Sequence, residues 1–222
     1  MNWSLLFSFF ADLAEGIPVT LAILASALSI GFVLGLLLCI VRLRRISIVS
    51  KLADFYVLFF RGTPLLVQLF AIYYGLGEFE FIRNSFAWPF LREAWFCAVL
   101  ALGLNSAAFT SEIMRGGVLG VEKGQLEAAA AYGFSNFQTG RLILMPQAAR
   151  IALPAYSNEI ILMLKGTSLA STISIMDLTG IARKLSSEHF APFEAFIAAG
   201  AIYLAMVLLL TAAFSTLEKR YA

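Results

Sequence analysis

Long apolar runs parted by short polar clusters organise this chain. Five of them read as membrane helices: about Pro18 to Ile40, Ala53 to Tyr74, Ala94 to Ile113, Arg150 to Leu164 and Ala195 to Leu217. About 20 apolar residues in a helix are enough to cross ~30 Å of hydrocarbon. The second run is interrupted by Arg61-Gly62-Thr63-Pro64, and the fourth is short and carries Pro154. Residues Thr167 to Ala182 are moderately apolar but hold Asp177, and read as a helix at the outer edge of the bundle rather than a sixth span. The predicted class is an all-α integral membrane protein with five transmembrane helices.

Composition agrees. Of 222 residues 60% are hydrophobic and 14% charged, against an apolar share of ~45–50% in soluble domains. Residues 1–16 form an N-terminal segment and 17–218 one transmembrane domain. Lys and Arg concentrate on the cytoplasmic side of membrane proteins. None occurs before residue 18, whereas the first loop holds Arg42, Arg44, Arg45 and Lys51, and the loop after the third span holds Arg115, Lys123, Arg141 and Arg150. Lys219 and Arg220 close the chain. This places the N-terminus outside, in the periplasm, and the C-terminus in the cytoplasm. Lys165, Arg183 and Lys184 run against it, because their segment then faces outward.

The start lacks the basic residues of a cleavable signal peptide, so the first span is expected to stay as an anchor. Cys39 and Cys97 fall near opposite faces, which argues against a disulfide. The net charge of +2 is accounted for by the inner loops and leaves no basic patch for nucleic acid. His189, in a polar stretch before Pro192, has no cluster of Cys or carboxylates around it and reads as an outer-loop residue, not a metal ligand. Trp3, Trp88, Trp95, Tyr73 and Tyr74 lie near outer boundaries, where aromatic side chains anchor spans.

The inner loop at 127–146 has local signals of its own. Glu127-Ala128-Ala129 opens a strong helix former. Gly133 can end that helix in a left-handed conformation. Beyond Phe134, Ser135 and Gln138 have capping-box spacing for a second short helix. Pro146 is expected to close the segment. A surface connector and a docking element for a partner both fit this pattern.

The run EAAAAYGFSNFQTGRLILMP resembles the signature of ABC-importer permeases: Glu-Ala-Ala, three residues, Gly, nine residues, Ile, one residue, Leu-Pro. Only Met145 departs from it, a swap that conserves volume. RGTPLLVQLF at 61–70, LNSAAFTSEIMRGG at 104–117 and LPAYSNEIILMLKGTSLAST at 153–172 resemble the polar amino acid uptake branch, above all permeases for histidine, lysine, arginine, ornithine and opines. The resemblance covers nearly the whole chain. It implies a type I importer permease fold in a bacterial inner membrane. It also implies that 127–146 is the coupling element seated on a separate ATPase. The implied partners are ABC ATPase subunits, a periplasmic amino-acid-binding protein, a second permease (identical or paralogous), an amino acid and membrane lipid. No cofactor and no catalytic residue is expected: Lys165-Gly166-Thr167-Ser168 reverses the Gly-Lys order of a phosphate loop and follows a membrane helix.

Ionisable groups in hydrocarbon cost roughly 2.5–3.5 kcal/mol on insertion scales, so each calls for a partner or a cavity. Counted along their spans, Glu159 and Asn105 reach mid-membrane from opposite faces. Glu159 reads either as an ion pair with Arg61 or as the counter-charge of a cationic ligand. Asn105 reads as an interhelical hydrogen bond or a ligand contact. Arg61 can instead snorkel to the cytoplasmic surface. Thr63-Pro64 is either a kink or unwound backbone beside a cavity. With an amino acid as cargo, its basic side chain is expected toward Glu159. Its carboxylate would then face Thr167, Ser168 or Lys165, where a new helix N-terminus would supply free N–H groups; Lys165 alternatively snorkels outward. Asp177 is a helix-end or gate residue. The rivals are a secondary amino acid transporter driven by an ion gradient and a non-transporting scaffold.

Overall fold

A computed structural model describes residues 3–45 and 47–221, and every regular element in them is helical. Met1 and Asn2 of the expected N-terminal segment and the side chain of Arg220 lie outside the described residues. The chain opens with α1 (Trp3–Ala14) and α2 (Ile17–Arg44). It continues through α3 (Ser47–Gly62) and α4 (Leu65–Phe70), which runs on in a π turn (Ala71–Gly75) and a 3-10 turn (Leu76–Glu78). Two single turns, α5 (Glu80–Arg83) and α6 (Trp88–Leu91), precede α7 (Ala94–Leu119). Then follow α8 (Lys123–Ala131), α9 (Asn136–Thr139), a π turn (Gly140–Leu144) and α10 (Met145–Gly166). A 3-10 stretch (Thr167–Ile173), α11 (Leu178–His189) and α12 (Pro192–Tyr221) complete it.

Residues Ile17–Arg44, Ala94–Leu119 and Pro192–Lys219 are each long and apolar enough to cross a membrane. Two bent pairs, each counted as one span, would bring the spans to as many as five: Ile48–Gly62 with Leu65–Glu78, turning by 108°, and Asn136–Ile173 with Leu178–His189, turning by 49°. Local chemistry explains the termini of α2. Pro18 sits in its first turn, where a missing N–H leaves nothing unpaired. Arg42 and Arg44 lie in the last turn, against the negative end of the dipole, and Arg45 ends the helix at φ 50°.

The interruption expected in the second span is present, and at Thr63-Pro64 the chain turns through 108°. Two other expectations are corrected. Pro146 does not close the loop, because helix continues from Asn136 through the π turn into α10 with Pro146 in its first turn. The wide turn just before the proline removes the backbone contact that normally makes the ring a helix breaker. Thr167 to Ala182 is not one helix either. It breaks at Ser174, which has φ 67°, and restarts at Leu178 under an Asp177 cap.

α2 and α7 run side by side in the same direction, as their matched contacts rise together. A Cβ on Gly103 would lie 3.1 Å from Ile30, one on Gly31 2.6 Å from Ser106 Oγ, and one on Gly35 2.7 Å from Thr110. Lipid tails are as apolar as leucine, so such helices are held by close van der Waals contact between small residues. α10 packs antiparallel on α7, its Ala148 and Ala152 against Gly117. α1 lays Phe9 and Leu13 on a second cluster with Leu178, Leu185 and Ala195. His189 is therefore no loop residue: it ends α11, its ring 5.1 Å from that of Phe9.

Candidate functional site

The break in the second span is the first polar feature at depth. Pro64 has no N–H, so the carbonyl of Phe60, four residues back, loses its helical donor. Two side chains replace it. Asn105 Nδ2 donates to Phe60 O at 3.1 Å, and Gln68 Nε2 donates to the same oxygen at 2.9 Å. Gln68 also reaches Thr63 O at 3.0 Å and Thr63 Oγ1 at 2.8 Å, and its own Oε1 accepts from Asn105 at 3.0 Å. The structure thus joins Asn105 and Thr63 through Gln68, which the sequence reading did not single out. Its signal was there: a lone amide in LLVQLF, four residues past the proline. Replacing Gln68 by Leu removes this donor to Thr63 O and leaves Phe60 O with Asn105 alone. We expect a loss of about 1–3 kcal/mol, read as a lower Tm in detergent than that of Val67→Leu, a change at an exposed neighbour.

Glu159 is 5% exposed, on the face of α10 that carries Ala148, Ala152 and Met163. The antiparallel register of α10 on α7 brings it level with Ser106 to Thr110, within about a turn of Asn105. Its carboxylate forms no hydrogen bond or ion pair among the described residues. Arg61 is the cation whose field reaches it, yet the ion pair weighed above does not form. The Arg61 guanidinium lies instead over the Phe109 ring, 5.4 Å from its centroid. A buried carboxylate beside an unpaired guanidinium gives a polar locus at mid-span.

The carboxylate half of the expected site is not assembled with it. No new helix N-terminus arises at Thr167, since the 3-10 stretch continues α10 and the Thr167 N–H bonds back to Met163 O. Thr167 is fully buried and its hydroxyl donates to Leu164 O at 2.6 Å, while Ser168 Oγ donates to Lys165 O at 2.7 Å. Lys165 lies six residues beyond Glu159, which on a continuous helix is about 9 Å along the axis and a third of a turn around it. With Ser168 it lines a separate open groove of about 410 Å³ against Tyr203 and Leu204 of α12.

Asp177 is fully buried and caps α11, accepting from Gly180 N at 2.9 Å and from the Tyr203 hydroxyl at 3.4 Å. The neighbouring Leu178 N–H donates to Thr20 Oγ1 at 3.1 Å, tying α11 to the start of α2. Of the two roles foreseen for Asp177, the structure gives it the helix end.

The 127–146 segment is a protruding knuckle. Gly133 has φ 78°; its N–H bonds Ala130 O and that of Phe134 bonds Ala129 O, the paired bonds of a left-handed helix stop. Ser135 and Gln138 form the full capping box expected of them. Only Ala129 is buried among Glu127 to Phe134; Tyr132, Phe137, Leu142 and Met145 are 85%, 73%, 60% and 69% exposed. Gln147 and Gln125 hydrogen-bond across its base.

A helical bundle with three to five candidate membrane spans, a break at a proline, a buried carboxylate unpaired among the described residues and an exposed apolar knuckle fits a multi-pass membrane protein. Residues 27–222 match the model of the binding-protein-dependent transport system inner membrane component family, and the chain belongs to that family. It is 51% identical over 209 residues to the octopine transport system permease protein OccM of Rhizobium radiobacter, covering 94% of this chain and 85% of that protein. It is 43% identical to the arginine ABC transporter permease protein ArtM of Haemophilus influenzae, covering 94% and 91%. It is also 43% identical to the histidine/lysine/arginine/ornithine transport system permease protein HisM of Escherichia coli K12, covering 93% and 87%. Its structure superposes on a crystal structure of an amino acid ABC transporter with histidines, with TM-score 0.89, 34% identity and 99% of both chains covered. A structure of the MetNI methionine ABC transporter shares the fold, at TM-score 0.75 and 18% identity.

Proposed function

We propose that this chain is the permease subunit of an ATP-driven amino acid importer in a bacterial inner membrane, with basic amino acids or opines as cargo. The observation that carries this reading is the knuckle. A capped, glycine-bent helix pair with four large apolar side chains in water is the surface a partner covers, since exposed apolar patches of this kind mark interaction sites. An ABC ATPase supplies the partner, seated on Glu127, Ala128, Ala129, Gly133, Phe134, Ser135 and Pro146. A cytoplasmic knuckle and a periplasmic N-terminus are supported by the distribution of Lys and Arg. A binding protein delivers the amino acid from the outer face, and a second permease, identical or paralogous, completes the path. Glu159 faces the cationic group of the cargo beside the broken span, with Asn105 and Thr63 holding the break in shape. Cargo selection by charge is supported by the names of the relatives and by the absence of an ion pair at Glu159 among the described residues.

The test is uptake into proteoliposomes. Arginine import is expected only when the chain is reconstituted with its co-encoded ATPase, binding protein and ATP. Import that persists without ATPase and collapses on adding an ionophore would instead make the chain an ion-coupled secondary transporter.

A further inference from the structure

The bundle carries a groove that the transport path does not use. Leu34, Leu37, Leu38 and Val41 of α2 face Val49 and Leu52 of α3 across a cleft of about 460 Å³, almost wholly apolar. Tyr56 closes its deep end, its hydroxyl spent on Leu104 O at 2.7 Å. From Leu34 to Val41 the cleft runs about 10 Å along the helix, comparable with one leaflet's half of a ~30 Å core. The same stripe of α2, stepping by three and four, continues past Val41 to Arg44 and Arg45. Both are exposed and neither forms an ion pair among the described residues.

The contrast with Arg42 is informative. Its guanidinium donates to Asp54 at 2.6 Å and to Glu112 at 2.8 Å, and Glu112 is bridged in turn by Arg115. The nearby carboxylates are thereby consumed, and the mouth of the groove keeps an uncompensated positive charge above an apolar slot. A phosphate with an attached hydrocarbon chain matches both parts at once. We propose that this groove holds an acyl chain of an anionic phospholipid whose headgroup phosphate rests on Arg44 and Arg45. The site depends on the chain lying in a membrane and not on which solute crosses.

Native mass spectrometry of the assembled transporter, released from membranes containing equal phosphatidylglycerol and phosphatidylcholine, tests it. Phosphatidylglycerol is expected to be retained over phosphatidylcholine by roughly 30-fold, the preference two exposed arginines give beside an anionic headgroup at about 1 kcal/mol each. Arg44→Gln with Arg45→Gln, changes at exposed positions that keep the fold, brings the ratio to about one. Leu52→Trp, filling the slot from its exposed rim, lowers retention with both arginines intact. Equal retention in the unaltered protein, or a ratio unmoved by the Gln pair, overturns the proposal. So does displacement by soluble glycerol 3-phosphate, or a benzophenone at Val49 that crosslinks to a second permease rather than to lipid.

Discussion

Glu159→Gln is expected to cut arginine import by about 30-fold or more while a neutral amino acid crosses at its original rate or faster. The carboxylate is buried and forms no ion pair among the described residues, so a bound cation is expected to supply its counter-charge beside the field of Arg61. Removing one partner of a desolvated charge pair costs 2–5 kcal/mol, and 2 kcal/mol corresponds to roughly 30-fold in affinity. Gln keeps the shape and carries no charge to bury, so the bundle itself is not expected to suffer. A neutral cargo gains, because no carboxylate then has to be desolvated beside it. Labelled arginine and glutamine uptake into proteoliposomes, measured on the same preparations, decides the matter. Equal losses for both, or an undiminished arginine rate, would remove Glu159 from cargo selection.

Gly133→Val is expected to abolish at least nine-tenths of ATP-driven uptake without unfolding the spans. The residue sits at φ 78°, a region where a β-branched side chain costs of order 1–3 kcal/mol. That strain falls on the two hydrogen bonds that bend α8 into α9, made by the N–H groups of Gly133 and Phe134. Opening them swings Tyr132 and Phe137 away from the surface they present. Beyond Gly133 and its two chain neighbours, no atom of the described residues lies within 4 Å of the position a Cβ would take, so the effect is one of backbone angle and not of crowding. Gly133→Asn separates the two causes, since asparagine enters the left-handed region readily and most uptake is expected to return. Co-purification of the ATPase should fall with Val and recover with Asn, while the Tm of the permease stays level. A Val variant that still imports would mean the bend transmits no force.

The knuckle was readable residue by residue because its signals are local. A capping box spans three residues, and a helix stop is set by one glycine's φ. The same holds for the start of α2 at Pro18. Gln68 shows where such reading stops. Pro64 announces a break, but not that the chain turns by 108° there, nor that an amide four residues on and another from α7 replace the missing donor. The helix N-terminus expected at Thr167 is absent for a related reason. The helix carries on past Gly166 as 3-10, and on continuous helix the six-residue spacing of Glu159 and Lys165 puts the two side chains on different faces.

Apolar runs, positive clusters and caps therefore specified the spans, the family signature and the knuckle from residue order, because transfer into lipid and turn chemistry depend on a residue and its near neighbours. The α2–α7 contact through Gly31, Gly35 and Gly103, the burial of Asp177 beneath Tyr203, the solitary carboxylate of Glu159 and the slot beneath Arg44 and Arg45 emerged from packing alone. Each is a relation between helices distant in sequence, fixed by which small residues let two backbones close together.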